Sequence, residues 1–178
     1  MQKLSMDQLG RLSPEAFKQS QKLPLVVVLD NVRSMHNVGS FFRTADAFRI
    51  ASIYLCGFTP QPPHRDIHKT ALGSTDTVDW QYFSNTIEAA VQLKEAGYTL
   101  LAAEQVTQSI PLQEYNWAYP TPVAVVFGNE VDGVAQSVLN LCDAVIEIPQ
   151  MGTKHSLNIS VAGGIVLWHL VQHSFNKA

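Results

Sequence analysis

Five short runs of Val, Ile and Leu, continuous rather than alternating with polar residues, constrain this chain more than any other feature. They are Leu25 to Asp30, Ala51 to Cys56, Tyr98 to Ala103, Pro122 to Phe127 and Ala144 to Ile148. A strand with one face in water alternates apolar and polar side chains, so continuous runs suit strands buried on both faces of a parallel sheet. The intervening segments have helical patterning. Asn37 to Arg49 spaces Val38, Phe41, Phe42, Ala45 and Phe48 along one helix face. Asn85 to Ala96 opens with an Asn85 cap and Glu88 three residues on, and Gly97 is placed to end it. Val134 to Cys142 fits a shorter helix, Leu157 to Phe175 a long C-terminal one, and Ser13-Pro14-Glu15 the start of another with Ser13 as cap. Strands alternating with helices predict an α/β domain whose largely parallel sheet is flanked by helices, with its ligand at the carboxyl ends of the strands. The turn-rich stretch Thr59 to Thr75 is the longest candidate loop.

With 178 residues and 46% hydrophobic content, the chain has material for one sizeable core. Twelve Lys and Arg against fifteen Asp and Glu give a net charge of -3, so any attraction to a polyanion must be local. Cys56 and Cys142 have no CxxC spacing and read as unpaired buried thiols of a reducing compartment. The N-terminal segment is polar and charged, unlike a signal peptide, and the apolar stretch Ile159 to Val171 is too short to span a bilayer. The expectation is a cytoplasmic protein without membrane contact.

Three clusters follow predicted strands. The first is Asn37-Val38-Gly39-Ser40-Phe41-Phe42-Arg43-Thr44, where Gly39 permits close backbone approach by a ligand and Arg43 is either a solvated edge residue or a positioned donor for an anion. The second, Gly128-Asn129-Glu130-Val131-Asp132-Gly133, is either a plain strand-to-helix turn or a turn whose NH groups face a ligand. The third runs from Ile148 to Ser160. There Pro149 and Gly152 fix a loop, Ser156 can cap the last helix, and Asn158 and Ser160 are polar residues opening an apolar helix, so they need partners or a cavity.

Common alternatives lack their residues. No G-x-G-x-x-G follows the first strand, no G-x-x-x-x-G-K-[ST] occurs, and no serine sits in a G-x-S-x-G frame. His64 and His68 are four apart, but Arg65 stands where H-E-x-x-H has Glu, and no metal site is expected. Arg65, His68 and Lys69 in the long loop are the candidate contacts to a phosphate backbone; a solvated loop is the other reading.

Together the clusters resemble the three signature motifs of the SpoU/TrmH family of RNA 2′-O-methyltransferases, within the SPOUT superfamily. N-x-G-x-x-x-R-T is matched by Asn37, Gly39, Arg43 and Thr44, and G-x-E-x-x-G by Gly128, Glu130 and Gly133. The third motif is matched by Ile148, Pro149, Gly152, Ser156, Leu157, Asn158 and Ser160, with Gln150 inserted before Met151. The resemblance spans about Leu23 to Val171. Residues 1–22, with the helix start at Ser13, read as a helical extension, and the resemblance implies a SPOUT methyltransferase domain over 23–178. That domain would have a C-terminal deep trefoil knot, a homodimer with sites at the interface, and S-adenosyl-L-methionine as cofactor. Cofactor contacts then fall to Gly128, Ile148, Leu157, Met151 and Gly152. Arg43, Asn37, Glu130, Ser156 and Asn158 become the catalytic set, acting on a ribose 2′-hydroxyl of tRNA or rRNA. Because guanidinium holds its proton, Arg43 reads as an electrostatic clamp on phosphate and nascent alkoxide, with a phosphate oxygen or water taking the proton. The alternative reading is a catalytically silent module that binds RNA or S-adenosylmethionine.

Overall fold

The structure is a computed structural model and describes residues 1–5, 7–154, 156–172 and 174–175. The strands are β1 (Leu23–Asp30), β2 (Ile50–Cys56), β3 (Asp79–Phe83), β4 (Thr99–Ala103), β5 (Ile110–Pro111), β6 (Val123–Phe127) and β7 (Ala144–Glu147). They form one seven-stranded sheet in the order β3-β2-β1-β6-β4-β7-β5, with every neighbouring pair parallel. The helices are α1 (Pro14–Gln19), α2 (Met35–Ala47), α3 (Arg65–Ala71), α4 (Thr86–Glu95), α5 (Gln136–Leu139) and α6 (Ile159–Val171).

The continuous apolar runs are explained by two cores, one on each face. Leu25, Val27 and Leu29 of β1, with Val125 and Phe127 of β6, pack in one cluster with Phe41 and Phe42 of α2 and Leu167 and Leu170 of α6. Val26, Val28, Ala124 and Val126 point the other way, into a cluster with Ala89, Ala90 and Leu93 of α4 and Val138 of α5. Successive side chains of a strand alternate between faces, so β1 from Leu25 to Leu29, and all of β6, need apolar residues at every position. α2 and α6 meet closely: a Cβ at Gly163 would lie 2.3 Å from the Phe41 ring.

Local chemistry sets the helix ends. The Ser13 side chain accepts from Ala16 N with Pro14 in the first turn, Ser34 accepts from Asn37 N, and Asn85 accepts from Glu88 N. Gly97, at φ 83°, ends α4 with its NH on Lys94 O.

Four features differ from expectation. β3 reads Asp-Trp-Gln-Tyr-Phe at a sheet edge with exposed positions, so it carries no apolar run. β5 is two residues long and includes Pro111, which only an edge tolerates. The long loop contains α3, too short for periodicity to reveal; its start is held by His64 Nδ1 accepting from Asp66 N, and Ile67 and Ala71 are its buried residues. Finally, Asn158 and not Ser156 caps the last helix. Asn158 Oδ1 accepts from the NH groups of Ser160 (3.0 Å) and Val161 (3.4 Å), and α6 begins at Ile159. His173, within the range expected for this helix, lies outside the described residues.

Candidate active site

The carboxyl ends of β4, β6 and β7 and the start of α6 enclose a cavity of about 570 Å³. Its wall includes Gly128, Glu130, Ile148, Ser156, Leu157 and Asn158, drawn from two of the three sequence clusters. The first cluster enters behind the wall. Buried Asn37 donates from Nδ2 to Glu130 Oε1 (2.8 Å), and Asn158 Nδ2 donates to Asn37 Oδ1 (3.2 Å). One amide therefore joins the loop after β6 to the start of α6 through the first turn of α2.

The direction of this relay is fixed by its ends. An ionised carboxylate only accepts, and a backbone NH only donates. Glu130 at one end and the Ser160 and Val161 NH groups at the other leave each amide a single orientation. Glu130 also accepts from the NH groups of Arg33 (3.2 Å) and Ser34 (3.4 Å). Desolvation works to raise its carboxyl, but the hydrogen bonds from Asn37 and from backbone NH groups outweigh it and hold the group below its ordinary value.

The Glu130 loop closes on itself. Asn129 and Gly133 exchange backbone hydrogen bonds (3.2 and 3.1 Å), and Asn129 Oδ1 accepts from Val131 N and Asp132 N. A Cβ at Gly128 would lie 2.0 Å from the Gly133 carbonyl carbon, so only glycine fits. Gly133, at φ 67°, faces Glu104, whose Oε2 accepts from Val134 N (3.0 Å).

Glu104 is a cavity residue that the motif reading missed. An acid directly after the apolar run of β4, at a strand's carboxyl end, was its signal. Asp30 was missed too. This buried carboxylate ends β1, accepts from Thr86 Oγ1 and Asn31 Nδ2, and takes the Ala135 NH on Oδ2 (3.0 Å). Glu104, Glu130, Asp132 and Glu147 line the cavity, and among the described residues no Lys or Arg joins them. Its electrostatics favour a ligand carrying positive charge.

Several expected residues stand elsewhere. Met151 is fully exposed, and neither it nor Gly152 is in the lining; Gln150 is. Arg43 is exposed on α2, outside the lining, and among the described residues it forms no ion pair. What approaches Gly39 is not a ligand but α3: a Cβ there would lie 2.1 Å from Thr70 Oγ1 and 2.3 Å from Ile67 O. Thr70 Oγ1 also donates to His36 O (2.9 Å), which seats α3 on α2. Arg65, His68 and Lys69 therefore project from a short helix rather than a loop, all exposed, with Lys69 paired to Asp66 at 2.6 Å. Among the described residues no group of three or more His, Cys, Asp or Glu is arranged to hold a metal ion. No helix there is long and apolar enough to cross a membrane.

Known proteins share this sequence pattern and fold. The chain is 34% identical to the 23S rRNA (guanosine-2'-O-)-methyltransferase RlmB of Vibrio parahaemolyticus over 93% of its own length and 66% of that protein. With the corresponding Neisseria meningitidis enzyme it shares 31% identity, covering 81% of this chain and 56% of the relative. It thus spans less than two thirds of these relatives. Identity to the tRNA (guanosine(18)-2'-O)-methyltransferase of Thermus thermophilus is 34%, over 81% of this chain and 72% of that one. Among solved structures, the A. aeolicus TrmH/SpoU tRNA modifying enzyme superposes with a TM-score of 0.80 at 27% identity, covering 90% of this chain and 80% of that one. The AdoMet-bound rRNA methyltransferase from Sinorhizobium meliloti gives 0.79 at 29% identity, covering 92% and 61%. The SpoU rRNA Methylase profile matches residues 24–168, and with the parallel sheet and the motif relay described above this chain belongs to the SpoU rRNA Methylase family.

Proposed function

We propose that the chain transfers a methyl group from S-adenosyl-L-methionine to a ribose 2′-hydroxyl of tRNA or rRNA. The observation that carries this is the acid-lined cavity at the strand ends, fastened by the Asn158–Asn37–Glu130 relay. The relatives named as rRNA and tRNA guanosine 2'-O-methyltransferases support the reaction. The cofactor supplies an electrophilic methyl on a positively charged sulfur. Gly128, Ile148 and Leu157 hold it in this reading, and the surrounding carboxylates suit its charge.

A ribose hydroxyl is a weak nucleophile until its proton leaves, so the site must stabilise alkoxide charge as it develops. Arg43 provides a fixed cation for that charge and for a neighbouring phosphate, while a phosphate oxygen or water accepts the proton. Asn37, Glu130 and Asn158 keep the walls in place, and Ser156 orients the ribose. Arg65 and His68 contact the RNA backbone; Lys69 contributes less because Asp66 already holds it.

Arg43 lies outside the cavity of its own chain, which fits a homodimer that brings it to a cavity at the subunit interface. Val161, Ile165 and Trp168 of α6 leave an exposed apolar face of the kind that dimers bury. The chain leaves β7 and returns to α2 as α6, a path consistent with the trefoil knot. In the same reading residues 1–22 are a helical extension to a domain over 23–178. Two free thiols, Cys56 and Cys142, accord with a cytoplasmic setting.

The test is transfer of a tritiated methyl to bulk tRNA and rRNA. Wild type transfers it, whereas Arg43→Lys binds S-adenosylmethionine normally and loses most turnover. Normal turnover in that variant overturns the role of Arg43, and no transfer by wild type overturns the reaction.

A further inference from the structure

A second hollow, of about 300 Å³, opens on the same carboxyl edge at the ends of β1, β2 and β3. It begins where the first cavity's wall ends. The loop after β6 gives Gly128 to Gly133 to the first cavity and Ala135 to the second, which also takes Ser137 of α5, and the Asp30 carboxylate ties down Ala135 at the join. Both volumes fall within the roughly 300–1,000 Å³ of small-ligand sites.

The rim is built to hold an aromatic ring outward. Phe58 is 83% exposed and Tyr82 45%, yet the loop bearing Phe58 is fastened on three sides. Gly57 N donates to Phe83 O (3.0 Å), Phe58 N to Asn31 Oδ1 (3.0 Å) and Tyr82 OH to Gly57 O (3.2 Å). Asn31 itself sits at φ 56°, uncommon for a residue with a side chain, and its amide donates to Asp30 Oδ1 (2.8 Å). The exposure of Phe58 is therefore a property of an anchored loop. Among the described residues the lining has hydroxyl and amide groups at Ser84, Asn85 and Ser137, beside an Asp30 carboxylate already held by Thr86, Asn31 and Ala135, and no Lys or Arg, a composition for a flat ligand edged with polar groups and not for a phosphate. Unpaired bases are bound in this way, by stacking on aromatic faces with polar groups at their edges.

We propose that the Phe58–Tyr82 hollow is a stacking subsite for one unpaired nucleobase of the RNA, beside the cavity where methyl transfer takes place. The proposal rests on the RNA methyltransferase reading. Its test uses the full chain and a fluorescein-labelled single-stranded RNA of mixed sequence carrying 4-thiouridine. Ultraviolet crosslinking followed by peptide mass spectrometry should place crosslinks on Phe58 or Tyr82. Phe58→Ala, a change at an exposed side chain, should weaken RNA binding by at least about fivefold, while Phe58→Trp restores it. S-adenosylmethionine affinity should stay unchanged in both variants. Crosslinks only elsewhere, or unchanged RNA affinity in Phe58→Ala, overturn the subsite. So does a change in sedimentation of Phe58→Ala with RNA affinity intact, which assigns the ring to contact between copies of the chain. The tritium transfer assay on wild type reports separately on the methyltransferase reading: transfer with no effect of Phe58→Ala on binding sinks the subsite alone.

Discussion

Asn158 does two jobs with opposite ends of one amide, and two substitutions separate them. Its oxygen caps α6 through Ser160 N and Val161 N, while its nitrogen donates to Asn37 Oδ1. Asn158→Ala loses both. The cap contributes about 1 kcal/mol and the hydrogen bond to Asn37 about 1 kcal/mol. At roughly 2–4 °C per kcal/mol for a domain of this size, the midpoint of thermal unfolding should fall by about 4–8 °C. Asn158→Asp keeps an acceptor at the cap, and its charge at a helix N-terminus adds roughly 0.3–1 kcal/mol, nearly offsetting the lost donor. Stability should then stay close to wild type. The site should not. Two acceptors now face each other, and Asn37 can satisfy the introduced carboxylate only by turning its amide away from Glu130. Losing one hydrogen bond to a charged group, discounted for the exposure of Glu130, amounts to about 1.4 kcal/mol, or tenfold in Kd for S-adenosylmethionine. Thermal unfolding and isothermal calorimetry on the same three proteins read out both quantities. Wild-type cofactor affinity in Asn158→Asp would refute the claim that this relay orders the cavity.

Other perturbations have equally definite outcomes. Gly128→Ala should abolish cofactor binding, because its Cβ would meet Gly133 backbone at 2.0 Å, whereas Gly152→Ala, with nothing within 4 Å, should be neutral by calorimetry. Since the Glu130 carboxyl titrates lower in the fold than in an unfolded chain, its stabilisation is complete above the ordinary value of about 4.3 and is lost as pH falls through the folded value. Thermal unfolding of wild type and Glu130→Gln should therefore differ at pH 7 and converge in acid. Burial pushes the Cys56 thiol up to about 12 and Cys142 to about 11, so at pH 8 iodoacetamide should label Cys56 only after unfolding, as intact-mass spectrometry would show.

The central sheet was legible because burial on both faces leaves its mark along β1 from Leu25 to Leu29 and along all of β6. What was illegible lay where that constraint lapses. At the edge, β3 needs no apolar run, and β5 is too short to have one. α3 has a side-chain cap from His64, a residue seldom read as a start signal, and only seven residues in which to show a period. Within the site, the motifs identified which segments converge but not how their side chains divide the work. Ser156 and Asn158 look alike as helix starters in sequence; the contact with Asn37, distant along the chain, decides between them. Gly39 looks like a ligand's landing point until α3 is known to occupy it. Met151 has the composition of a pocket residue, yet the loop turns it into water.

The one-way amide relay has a consequence for anyone who would transplant this site. Each of its three segments satisfies a hydrogen-bonding need that another creates: Glu130 needs the donor of Asn37, Asn37 needs the donor of Asn158, and Asn158 is fixed by the helix it starts. A graft carrying one segment, or two, would leave acceptors unmatched around the buried Asn37 amide and would be worse than none. The strand ends of another parallel sheet could host this chemistry only if all three arrived together, which makes the trio, and not any single motif, the smallest unit that can be inherited.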